Sequence, residues 1–300
     1  LVMLAGATLA AFTVKLPYYE FRPGSARPTA ELVQVDEDRA YPPAGDIAFT
    51  TVSLRQSTVA SRVQAWFDDD IEVVDAEQVL GNRSPSENRQ FNLQLMDTSK
   101  QEAIRAALEE LGHDVPVQID GVVVMQVVPD EITLTVEPPD RGAPEERTVT
   151  LGTDPDDSSQ GFIGVSLQWR NPQYRYPFPI DIDSGNVGGP SAGLAFSLGV
   201  IDVLTPGELT GGGPAQSWVD LTGTIDGAGN VGQVGGVAQK AAVVADEGYD
   251  VFLVPSAEVP LARERLGDDI RVIGVDTLRE ALDALESLGG SGSELASPPG

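Results

Sequence analysis

Lysine is scarce in this chain: Lys15, Lys100 and Lys240 stand against sixteen arginines, so Lys240 is the only lysine in the last two hundred residues. Three and four positions away lie Gly236, Val237, Val243 and Val244, which put Lys240 on the apolar face of a helix. A charged ammonium is disfavoured there, and desolvation lowers a lysine pKa toward the range where the neutral amine acts as a base. The same placement also suits a lysine whose stem is buried and whose head snorkels to water. The second reactive candidate is Ser191, in Gly188-Gly189-Pro190-Ser191-Ala192-Gly193. Glycines permit a sharp entry, proline suits a first helical position, and amides at a helix N-terminus can hold a developing oxyanion. A serine that caps or packs at a glycine-rich turn has the same local pattern.

Other chemistries fail on inventory. Residues 189–193 satisfy Gly-x-Ser-x-Gly, but that nucleophile elbow needs a histidine after the serine, and the one histidine, His113, precedes it. A serine without histidine needs another base, and an apolar-face lysine is the obvious one. Gly227-Ala-Gly-Asn-Val-Gly232 matches a dinucleotide pattern, yet Val231–Val234 reads as the return strand of a hairpin, where a helix should start. No Gly-x-x-x-x-Gly-Lys-Ser/Thr stretch occurs, so the 300 residues hold no P-loop. One histidine and no cysteine argue against a catalytic zinc, and no cofactor or metal is expected.

Composition narrows the partners. Nineteen basic residues against 46 acidic ones give a net charge of −27, which sets nucleic-acid binding aside. A 41% apolar share over 300 residues is enough for a sizeable core. The uncharged run Leu1–Val14, closed by Lys15, is shorter than the ~20 residues of a full span. It is expected to be the end of an anchor helix, with the apolar core of a signal peptide as the alternative.

These candidates need a scaffold. Residues 16–45, rich in proline and charge, read as an extended leader, followed by a strand at Ile47–Leu54. Helices are expected over Ser57–Phe67 and Thr98–Leu111, the second opened by a capping box at Thr98 and Gln101. Strands follow at 121–128, 132–137, 147–151 and 162–169, and a short one at 180–183. A helix with proline first spans Pro190–Leu204, and Asp226-Gly227 marks a hairpin between Val219–Ile225 and Val231–Val234. Then come helix Val237–Glu247, strand Val251–Val254, helix Ala257–Leu266, strand Arg271–Val275 and helix Thr277–Leu288. Strands alternating with helices predict a mixed domain of both, and the Gly/Ser/Pro-rich tail 289–300 predicts disorder.

Three separated stretches carry a resemblance: Gly188-Gly-Pro-Ser-Ala-Gly-Leu-Ala-Phe-Ser-Leu198, Leu221-Thr-Gly-Thr-Ile225 and Val234-Gly-Gly-Val-Ala-Gln-Lys-Ala-Ala242. In order and spacing the chain resembles the proteolytic domain of Lon proteases over residues 161–288. It is most similar to membrane-anchored, ATPase-free Lon-like proteins with a PDZ module, the YlbL type. The leader Leu16–Gly24 also looks like the segment that follows their anchor. Asp120–Asp130 resembles the opening strand of the PDZ module, and Glu131–Leu151 its closing hairpin. The middle, with the peptide-facing helix, is missing, so 119–151 is a truncated PDZ-like segment.

The resemblance implies an α+β fold: a Lon proteolytic domain, related to the second domain of ribosomal protein S5, behind the truncated PDZ-like segment and an α/β region at 46–118 packed on it. It implies an ATP-independent serine endopeptidase acting on unfolded or loosely structured protein. Ser191 would be the nucleophile, Lys240 the general base and Thr222 the hydrogen-bond partner of the lysine, with Gly189, Pro190 and Ala192 supporting. It further implies a single-pass membrane protein with an extracytoplasmic protease domain, and a homo-oligomer, commonly a hexamer. The alternative is a catalytically silent Lon-like pseudoprotease acting as an envelope binding or scaffold protein.

Overall fold

All five residues of Val251–Pro255 are buried, and sequence neighbours there alternate between two apolar clusters: Val251 and Leu253 in one, Phe252 and Val254 in the other. A strand buried on both faces belongs inside a sheet covered above and below by helices. The structure, a computed structural model, describes residues 2–42, 47–118, 121–127, 132–136, 145–149, 152–153, 161–162, 165–170, 172–210 and 218–291. Residues 2–7 and the strands between 121 and 170 are described by their backbone alone.

The first compact unit joins residues 1–115 to 176–300. It opens with α1 (Val2–Thr13), β1 (Lys15–Pro28), β2 (Val33–Val35), β3 (Ile47–Thr58), α2 (Val59–Gln64), β4 (Glu72–Asp75), α3 (Ala76–Leu80) and the long α4 (Pro85–Glu110). The second unit, residues 116–175, holds β5 (Val117–Gln118), β6 (Gly121–Val127), β7 (Ile132–Val136), β8 (Glu145–Val149), β9 (Gly152–Thr153), β10 (Gly161–Phe162), β11 (Val165–Arg170) and β12 (Gln173–Tyr174). The first unit resumes with β13 (Ile180–Ile182), α5 (Gly193–Leu204), β14 (Val219–Leu221), β15 (Thr224–Ile225), β16 (Val231–Gly232) and α6 (Val237–Glu247). It finishes with β17 (Val251–Pro255), α7 (Val259–Leu266), β18 (Arg271–Val275) and α8 (Leu278–Ser287).

One six-stranded sheet organises the first unit, in the order β18-β17-β14-β3-β1-β4. The four strands from β18 to β3 run parallel, while β1 pairs antiparallel with β3 and with β4. One face packs residues of α4, α5 and α8 around Phe49, Leu221 and Leu253, with Phe49 edge-on to Phe196 at 5.2 Å. The other face packs α6 and α7 against Ala48, Phe252 and Val254. In the second unit β6 pairs with β11, β7 with β8, β9 with β10 and β5 with β12, all antiparallel. The two units together make a mixed α+β chain.

Several expectations change. Residues 16–45, read as a leader, supply β1, a 14-residue strand inside the main sheet. Pro17 and Pro23 fall at its register shifts, between Lys15 and Tyr19 and between Pro23 and Ala26, and Pro28 closes the strand opposite Ala48. The region 46–118 is likewise part of the sheet, through β3, between β14 and β1. The expected boundary at 161 falls inside the second unit, because β11 pairs with β6. Residues 128–131, where the expected opening strand meets the closing hairpin of the PDZ-like segment, lie outside the described residues, as does most of the tail expected to be disordered.

The helix expected from Thr98 begins thirteen residues earlier, at Pro85. Its cap is Ser84, whose hydroxyl accepts from the Glu87 amide while Glu87 accepts from the Ser84 amide. Thr98 lies mid-helix and returns its hydroxyl to the Gln94 carbonyl. The transmembrane, single-pass expectation is not supported by the described residues. Helix α1 has 12 residues, about 18 Å of rise against a ~30 Å hydrocarbon core. Among the described residues no helix is long and apolar enough to cross a membrane.

Candidate active site

Lys240 is 2% exposed, on the face of α6 that packs against the sheet, as its apolar neighbours foretell. Gly236 starts that helix at φ +69°, where a β-carbon would meet Val52 at 2.9 Å. Only glycine suits this left-handed N-cap pressed against β3. The Lys240 amide donates to the Gly236 carbonyl, which anchors the first turn.

Thr222 follows β14 directly and is fully buried. Its amide donates to the Leu253 carbonyl of β17 at 3.0 Å. Its hydroxyl donates to the Ser191 carbonyl at 3.1 Å and accepts from Lys240 Nζ at 2.6 Å. The single hydroxyl proton is committed to Ser191, so Thr222 Oγ1 can only accept from the lysine. One N–H of Lys240 is thereby fixed. The lone pair of a neutral amine then stays free for another proton.

The turn that carries Ser191 is held by α4 and by the Thr222–Gly223 segment. Gly189, at φ +89°, donates its amide to the Asn92 carbonyl of α4 at 2.8 Å. Ser99 of α4 donates its hydroxyl to the Pro190 carbonyl at 3.0 Å. The Ser191 carbonyl also accepts the Gly223 amide at 3.0 Å, and Ala192 is buried at the helix N-cap. Helix α5 begins at Gly193, not at Pro190, so Ser191 sits in the turn before the helix. Glycine is needed there, since a β-carbon on Gly193 would meet Ile225 and Ser99 at 2.9 Å. Among the described residues the Ser191 and Ala192 amides donate to no acceptor, and Ser191 Oγ makes no hydrogen bond.

Ser191 and Lys240 line one cleft of about 630 Å³, together with Pro190, Ala192 and residues of β1, β3 and α4. Burial pushes the Lys240 amine down to about 8, against the pull of Asp220 and Glu258. Asp220 is fully buried on β14, and burial pushes its carboxyl well up, opposed by the Thr50 hydroxyl that donates to it at 3.0 Å and by Lys240. Sequence reasoning passed over Asp220, although an acid between Val219 and Leu221 in an apolar strand is a visible signal. Asn92 and Ser99 gave no such signal, since their role depends on a helix packed across some ninety residues of chain.

The false dinucleotide motif is the turn between β15 and β16, whose Asp226 carboxylate accepts from the Ala228 and Asn230 amides. His113 follows α4 and stacks edge-on with Phe178, among structural contacts. Among the described residues no cluster of three potential metal ligands occurs.

No family model matches the chain. It is similar to the Lon protease of Neorickettsia sennetsu, at 30% identity over 97 residues, which is 31% of this chain and 11% of that protein. The chain therefore spans about a ninth of the length of this curated relative. The likeness supports a Lon-like relationship for a minority of the residues.

Proposed function

We propose that this chain is an ATP-independent serine endopeptidase that hydrolyses unfolded or loosely structured polypeptides through Ser191 and Lys240. The observation that carries this reading is a lysine buried to 2% exposure, bonded to Thr222 and lining the same cleft as Ser191. In the reaction Ser191 Oγ attacks a peptide carbonyl and its proton passes to the neutral Lys240 amine. The resulting ammonium protonates the departing amine, leaving an ester on Ser191. Water then attacks this ester while Lys240 takes its proton, releasing the acid and restoring the serine. The Ser191 and Ala192 amides are the donors at hand for the oxyanion.

The likeness to a protease supports the reaction class. The absence of a P-loop in the sequence supports ATP independence. One observation favours the silent-pseudoprotease alternative: the lysine hydrogen bond goes to Thr222, and Ser191 Oγ has none among the described residues. Catalytic bonds in substrate-free sites are often loose and tighten on binding. Digestion of casein and of short unstructured peptides separates the readings. Wild type is expected to cut both and Ser191→Ala neither. Wild type that cuts neither at any pH from 7 to 9.5 would establish the silent reading.

A further inference from the structure

The cleft beside Ser191 departs from the charge of the molecule around it. The chain carries 46 acidic residues against 19 basic ones, yet among the described residues no carboxylate lines the cleft. Its charged lining groups are Arg27, Arg89 and the base Lys240. Arg27 lies near the end of β1 and Arg89 in the second turn of α4, so the two arginines come from different walls. Both are exposed, and neither makes an ion pair or hydrogen bond among the described residues. The acids placed beside them by the chain, Glu247 next to Ala26 and Glu87 two residues before Arg89, are already engaged. Glu247 accepts from the Ala26 amide at 3.1 Å, and Glu87 accepts from the Ser84 amide at 2.7 Å in the α4 cap. The remaining lining mixes apolar side chains, among them Phe21, Leu54, Leu80, Leu93 and Met96, with neutral polar ones such as Asn88, Asn92 and Asn186.

Two unpaired guanidinium groups beside these apolar side chains fit one ligand chemistry: a chain that offers a carboxylate next to apolar residues. Arginine presents five donors in a planar fork matched to a carboxylate. The net charge of −27 opposes any acidic ligand at long range. At ~0.15 M ionic strength, however, the screening length is ~8 Å, so groups in contact decide the preference. We propose that the cleft selects extended polypeptide segments that carry an acidic side chain next to apolar ones, with Arg27 and Arg89 receiving the carboxylate. This rests on the cleft being the substrate site of the endopeptidase described above. It narrows the substrate class from unfolded protein in general to acidic–apolar stretches.

Binding to Ser191→Ala, prepared as the full chain, tests the selection apart from catalysis. The probes are fluorescein-labelled decapeptides of alanine, leucine and phenylalanine with one central glutamate, and twins with glutamine or lysine there. Fluorescence anisotropy at ~0.15 M salt is expected to show the glutamate peptide binding about three- to tenfold tighter than the glutamine twin, with the lysine twin weakest. In a background of Arg27→Gln and Arg89→Gln together the difference should fall below about twofold. Both positions are exposed, and an unchanged melting temperature checks that the fold survives. Equal binding of the twins, a preference that persists in the double variant, or no saturable binding would each overturn the proposal. Hydrolysis of the same peptides by wild type separates it from the catalytic reading. Selective binding with no cleavage would remove the endopeptidase and leave the selection standing, whereas equal cleavage of all three twins would remove the selection alone.

Discussion

In the proposed reading Lys240 serves as a base because its burial outweighs the attractions of Asp220 and Glu258. With the amine near pKa 8, about one molecule in ten carries a neutral lysine at pH 7, against fewer than one in a thousand for a free lysine. The base form appears as the proton leaves, so activity must rise with pH. We expect kcat/KM on an unstructured peptide to climb about tenfold per unit between pH 6 and 7.5 and to level off above about pH 8.5. A profile flat from pH 6 to 9 would show that no lysine titration governs the rate. Much of this was legible from residue inventory: a lone lysine on an apolar face, a serine after glycines, and no usable histidine. Legibility ended at Asp220 and Thr50, because the pairing of Thr50 with Asp220 depends on β3 lying beside β14.

Helix α4 is the element that fixes the turn carrying Ser191. It receives the Gly189 amide on the Asn92 carbonyl and donates the Ser99 hydroxyl to Pro190. A β-carbon on Gly189 would stand 3.7 Å from Asn92 Oδ1, an ordinary contact, so substitution there strains the backbone without a clash. Gly189→Ala is therefore expected to lower stability by roughly 1–2 kcal/mol, the cost of a left-handed residue with a β-carbon. It should also lower kcat/KM at least about tenfold, because Ser191 is two residues away. A variant with wild-type melting and wild-type rate would show that the φ +89° turn does not position the serine. The start of α4 escaped the sequence reading because Ser86–Gln90 are all polar, and Phe91, Leu93 and Leu95 then alternate at a spacing of two, which makes no helical stripe. The true signal was Ser84-Pro85-Ser86-Glu87, a capping box with proline in the first turn. Helix α6, bounded by Gly236 and Gly248, and strand β18 fall where the sequence put them.

At the scale of the whole molecule, the first unit is discontinuous, with residues 1–115 and 176–300 sharing one sheet. Short-range patterns cannot announce that β1 and β3 complete a sheet begun by β14, β17 and β18, since strand order is set by long-range packing. The proline-rich β1 therefore looked like a leader. Alternation of strands and helices from residue 219 onward was readable, and so was the mixed class of the fold. No P-loop motif occurs in the 300 residues, and the proposed reading is therefore of an ATP-independent enzyme that takes only loosely structured chains. Casein should be degraded at equal rates with and without ATP and magnesium, while a tightly folded protein should resist for hours. Stimulation of casein digestion by ATP of more than about threefold would contradict this.

The central claim is that Lys240 is the base for Ser191, and the most direct measurement is the kcat/KM of Lys240→Arg on one unstructured peptide beside wild type. Arginine keeps the positive charge and most of the stem volume but does not deprotonate in proteins. A positioned base contributes about 10²–10⁴-fold, so the variant is expected to lose at least about a hundredfold at pH 8 and to gain nothing as the pH rises to 9.5. Retention of activity within about threefold of wild type would contradict the assignment.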